Sequence, residues 1–151
     1  MIKMSTADAA LIALGERFER RLLEYMDAWL AWAPLMRAAR AEAESDLAGL
    51  SVAIQRKGCE TAQARMSELE NDMEPLAEEI IAAPATSLGG LRAKALVALW
   101  EALPTSAFHH GAFEFRDNGE ASRSLFDAVA EMTDLAPIVR ELEARLAADA
   151  E

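Results

Sequence analysis

Eight large apolar residues, Leu11, Leu14, Phe18, Leu22, Tyr25, Trp29, Trp32 and Met36, follow one another in steps of three or four. From Leu14 onward the repeat is close to 3.5 residues, the spacing of a coiled-coil seam. Beside it, Leu23, Met26, Leu30 and Ala33 form a second stripe. A helix apolar on two adjacent faces needs two neighbours. It is expected to start at Ser5 or Thr6, whose hydroxyls can cap it, with Asp8 favourably placed in the first turn. Pro34 is expected to kink it or to start a new segment.

A matching pattern follows in Val52, Gln55, Cys59, Ala62, Met66, Leu69, Met73, Leu76 and Ile80, in alternating steps of three and four. Two such segments predict a long antiparallel hairpin over 1–83, with its turn between Arg40 and Leu50 and a local kink at Pro75. After Pro84, Thr86 or Ser87 can cap a third helix running to Ala102. Its expected face is Leu88, Leu91, Ala95, Leu99 and Ala102. Pro104 opens a loop over 104–119, in which Phe113-Glu-Phe115 can be extended and Asp117-Asn-Gly is a turn signal. A fourth helix is expected from Glu120, with Leu125, Phe126, Val129 and Met132 inward. A last one is expected to be capped by Thr133, with Pro137 in its first turn, Ile138, Leu142 and Leu146 following, and a tail that frays after Leu146. The fold class is therefore all-α and bundle-like: a single domain over 1–151, the hairpin followed by shorter helices.

Composition agrees. Ala, Leu, Glu, Arg, Met, Lys and Gln supply 94 of 151 residues, against 15 Val, Ile and Thr. That excludes a β-sandwich or barrel. Hydrophobic residues are 52% of the chain, too many for disorder throughout. Small Ala side chains bury little area each, so the hairpin is expected to leave apolar surface for a second copy, a dimer first.

The net charge is −11, and no block is strongly basic: residues 1–40 carry +1 and residues 41–83 carry −7. Nucleic acid and anionic membranes are therefore poor partners. No apolar run approaches the ~20 residues of a membrane helix. Cys59 is the one cysteine, so no internal disulfide forms, and the expected location is the cytoplasm.

Five groups could carry chemistry. Thr86, Ser87, Arg92 and Lys94 sit around Gly89 and Gly90 at a helix start, where hydroxyls, amides and bases can hold an anion. The spacing lacks the Gly-x-x-x-x-Gly-Lys-Ser/Thr pattern and follows a helix rather than a strand, so capping and close packing come first. His109 and His110, in the 104–119 loop, are the only histidines; they could bind zinc or act as a base, but no further His or Cys stands near them in sequence. The aromatic stripe could line a pocket, although rings at helical spacing are more often core or interface. Cys59 falls on the seam, which favours a buried, inert thiol. The many glutamates could suggest a di-metal bundle, but neither histidine sits in a Glu-x-x-His motif, so a solvated face is preferred.

The segment Pro84-Ala-Thr-Ser-Leu-Gly-Gly-Leu-Arg-Ala-Lys-Ala95 resembles a Pro-Ala-Thr-x-x-Gly-Leu-x-x-Lys-Ala pattern of small alphaproteobacterial-type helical proteins. Pro84, Ala85, Thr86, Gly90, Leu91, Lys94 and Ala95 match, with one extra residue between Thr86 and Gly90. The resemblance implies an all-helical fold and brings no activity, cofactor or catalytic residue.

The expectation is a non-enzymatic protein without cofactor, acting by self-association or by binding another protein. Its interface would be Phe18, Leu22, Tyr25, Trp29, Trp32 and Met36. The alternative is a small-molecule or anion-binding protein, an enzyme included, using Thr86, Ser87, Arg92 and Lys94 with His109 and His110 in the 108–117 loop. A third reading is a nucleic-acid mimic acting through the acidic 41–83 face.

Overall fold

Long runs of Ala, Leu, Glu and Arg favour helix at every position, and the turns fall where Gly, Pro and Asp interrupt them. A computed structural model of the chain describes residues 6–43, 46–104, 106–107, 113, 126, 129–130 and 132–150. The helices whose ends lie among them are α1 (Thr6–Ala43), α2 (Leu47–Lys57), α3 (Cys59–Ala82), α4 (Leu88–Glu101) and α5 (Ala136–Ala150). No strand occurs among the described residues. The fold is all-α, as the periodicity predicts. No described helix is long and apolar enough to cross a membrane.

The 38 residues of α1 make a rod about 57 Å long, against which α2, α3, α4 and α5 all pack. Antiparallel order is fixed by its polar pairs: Arg21 meets Asp72, Tyr25 meets Glu70, and Glu42 meets Arg56 far beyond. The core joins Phe18, Leu22, Met26 and Trp29 of α1 to Leu69, Met73 and Ile80 of α3 and Leu96 and Leu99 of α4. The Phe18 and Trp100 rings meet edge-on at 5.7 Å. Where α1 crosses α4, Gly15 is required: a Cβ there would lie 2.7 Å from the Cβ of Ala93.

The structure revises several expectations. The second hairpin arm is two helices, because Gly58 adopts φ +74° and its N–H bonds Gln55 and Ile54 carbonyls. A left-handed residue resets the helical phase, so Val52 leaves the seam and stands 62% exposed. Only Ala53 of α2 is buried, in a small cluster with Ala39 and Cys59 that is separate from the main core. Neither Pro34 nor Pro75 ends its helix. Both are exposed, on the side where water can reach a carbonyl freed by the missing N–H.

Ser87 caps α4, its hydroxyl accepting the Gly90 N–H at 3.1 Å. Leu88, in the first turn, points outward and is 54% exposed. Phe126 is buried and Val129 half-buried, but Met132 is 59% exposed. Thr133 does not cap α5: its hydroxyl donates back to the Val129 carbonyl, and Asp134 at φ +57° turns the chain before Ala136. The end of α5 stays helical to Ala150, held by Arg37. The extended piece at Phe113–Phe115, the helix start at Glu120, Leu125, and both His109 and His110 lie outside the described residues, except that Phe113 is buried.

Candidate functional site

The 84–95 segment is the most distinctive string in the chain, and each of its polar side chains is bonded within the protein. The Thr86 N–H and hydroxyl both donate to the Asp8 carboxylate, at 3.2 and 2.5 Å. Asp8 is 2% exposed, and the Thr86 hydroxyl, with the Thr86 amide and Ser87 hydroxyl, holds its carboxyl below the usual carboxylate range against the opposing effect of burial. Arg92 forms a two-pronged pair with Glu19 of α1, at 2.7 and 3.0 Å. Lys94 donates to the Ile80 and Ile81 carbonyls, at 3.0 and 2.9 Å, in the last turn of α3. Cations there satisfy orphan carbonyls and meet the negative end of the helix dipole. Gly89 lets the chain pass Ile12, whose Cδ1 would lie 2.6 Å from a Cβ. The segment is thus a junction where the start of α1, the end of α3 and the start of α4 are tied together.

The aromatic stripe is largely interior. Phe18, Leu22, Tyr25 and Trp29 are buried, whereas Trp32 and Met36 are half-buried. Tyr25 donates to Glu70 at 3.1 Å. Burial first, then the Glu70 charge, raise the Tyr25 phenol far above its ordinary value. A crevice of about 190 Å³ opens beside these rings, lined also by Gln63, Met66 and Ser67. An association surface must therefore draw on residues other than the four buried members.

Two further surfaces were not singled out in the sequence. A cleft of about 430 Å³ between α1 and α3 is lined by Arg17, Arg20, Arg21, Glu24, Asp72 and Leu76. The available signal was three arginines at i, i+3 and i+4 in the one block of net positive charge. The other surface is the outer face of α2. Leu47, Ala48, Ser51, Val52 and Gln55 are all exposed, fall on one side of the helix by spacing, and carry no charge. Leu47 is 83% exposed. The helix's basic residues, Arg56 and Lys57, turn instead to Glu42 of α1.

Among the described residues no group of three His, Cys, Asp or Glu could hold a metal ion. Cys59 is a buried free thiol. In comparison with known proteins, no family model, curated protein or solved structure matches the chain.

Proposed function

We propose that the chain is a non-enzymatic helical protein acting by association, with a second copy as its first partner, through the outer face of α2. One observation carries this reading: Leu47, Ala48, Ser51, Val52 and Gln55 make an exposed helix face without charge on a chain of net charge −11. Interface cores are depleted of charge, and like-charged copies can approach only where charge is missing. The 84–95 segment lends no support to catalysis, since its polar side chains serve helix ends and helix pairs.

The area sets the strength. Eleven residues make a helix about 16 Å long. That face is smaller than the ~800 Å² per partner of a standard interface, which is the size of weak, transient associations. Light scattering across a concentration series tests it. The mass should rise toward a dimer, and Leu47→Glu with Val52→Glu should hold it at the monomer while leaving the melting temperature unchanged. A wild-type mass fixed at the monomer to the highest concentration, or a variant that still dimerises, refutes the placement.

A further inference from the structure

We propose that the cleft between α1 and α3 binds the phosphate group of a small molecule through Arg17, Arg20 and Arg21. The cleft, about 430 Å³, lies in the size range of small-molecule sites.

The pairing pattern marks it out. Arg37 is held by Asp149, Arg92 by Glu19, Arg56 and Lys57 by Glu42, Arg65 by Glu24 and Glu68, and Arg145 by Asp27. Lys94 bonds two carbonyls, and Arg40 and Arg140 are also engaged. Among the described residues, Arg17 and Arg20 alone of the basic side chains have no ion-pair or hydrogen-bond partner. Both face the same cleft. The chain holds 26 acids against 15 bases, so carboxylates are plentiful. Like charges three and four apart on a helix repel mildly, and a bound anion relieves this.

The chemistry selects the ligand. One guanidinium fork satisfies one carboxylate, as Arg37 does for Asp149. Two open forks one turn apart suit a group with more oxygens and about two charges, which is a phosphate monoester. Arg21 is already held at the cleft edge by Glu24 at 2.9 Å and Asp72 at 3.5 Å. It adds positive potential, while those two acids repel a second phosphate. The ligand therefore carries one phosphate on an otherwise neutral body, which can rest against Leu76. Polyphosphates and nucleic-acid backbones are disfavoured.

The test is a titration of the full chain with glucose 6-phosphate and with inorganic phosphate, against chloride at equal ionic strength, followed by the arginine side-chain NMR signals. Saturable shifts of Arg17 and Arg20 are expected, tighter for the ester than for inorganic phosphate. Arg17→Gln and Arg20→Gln should each weaken binding about tenfold or more, with unchanged melting, because neither side chain has a partner among the described residues. Arg56→Gln, on α2 and away from the cleft, should leave binding intact. The absence of saturable shifts at millimolar ester overturns the proposal. So does equal binding by the double variant, or tighter binding of a single-stranded oligonucleotide or of anionic vesicles than of the ester.

Discussion

Replacing Arg37 with Met should loosen the C-terminal end of the bundle before it lowers global stability. The Arg37 guanidinium donates to both carboxylate oxygens of Asp149 at 2.9 and 2.8 Å, to the Asp149 carbonyl at 2.8 Å, and to the Ala107 carbonyl at 2.8 Å. It thus joins α1, the chain after α4, and the last turn of α5. The Asp149 side chain is 8% exposed and that of Arg37 26%. Met keeps the aliphatic volume and removes the charge. Removing the cation beside a buried carboxylate costs up to ~3–5 kcal/mol when the fold is rigid. Here the fold has an escape: Asp149 lies one residue from the end of α5, in a turn otherwise made of Ala147, Ala148 and Ala150. Fraying that turn rehydrates the carboxylate and sacrifices little apolar burial. The Ala107 carbonyl still loses its partner. The net cost should be about 2 kcal/mol, or roughly 4–8 °C of melting temperature for a chain of this length. Hydrogen exchange should show lost protection at residues 147–150 at temperatures where the α1 core stays protected. A double-mutant cycle with Asp149→Asn should give a coupling of about 1 kcal/mol or more. Unchanged melting with intact protection at 147–150, or fully additive single effects, refutes the reasoning.

Gly15→Ala gains about 1 kcal/mol of helix propensity but overpacks a contact with Ala93 by a methyl group, at ~1–3 kcal/mol, so a net loss is expected by chemical denaturation, with recovery in Gly15→Ala/Ala93→Gly. Asp8 has a lowered folded-state pKa, so its contribution is full above its ordinary value near 3.8 and is lost as pH falls through the depressed one. Melting recorded over acidic pH should therefore drop below about pH 4 less steeply in Asp8→Asn, and identical slopes would remove Asp8 from the acid transition. Tyr25 has a raised pKa, so its contribution is full below its ordinary value near 10 and is lost as pH rises further; Tyr25→Phe should flatten alkaline unfolding. Trp29→Ala, at a side chain 1% exposed, should cost about 3–5 kcal/mol by denaturant unfolding, and a cost below 1 kcal/mol would deny it a core role.

What could be read from the sequence was what depends on neighbours within a turn or two. The α1 stripe, the turn between Arg40 and Leu50, the Ser87 cap and the stop at Pro104 all rest on local spacing and turn chemistry. Gly58 weakened a helical reading on paper, but its break could not be placed because the 3.5-residue pattern continues through it. Only the left-handed φ shows that the phase is lost, which is why Val52 is exposed while Cys59 is buried. The contacts that hold the ends together were not legible at all. Asp8 meets Thr86 across 78 residues, and Arg37 meets Asp149 across 112. No periodicity encodes a partner at that separation, and both acids were indistinguishable from surface charge. Arg17 and Arg20 were hidden for the opposite reason: what marks them is the lack of a partner among the described residues, which appears only once every other described base is seen to have one.

A string that stands out in a sequence can do so because several helix ends meet there. Pro84 starts the chain away from α3, Ser87 restarts it as α4, Thr86 holds Asp8 of α1, and Lys94 reaches back to the last carbonyls of α3. Each residue answers a different orphan group, so the hydroxyls, glycines and bases that resemble an anion site are needed even without a ligand. The same test separates Arg92 of α4 from Arg17 of α1. Arg92 is closed by Glu19 and cannot take an anion without breaking that pair, whereas Arg17 can do so at no cost to the fold. Binding chemistry is therefore better sought where a charged group has been left open than where polar residues are densest.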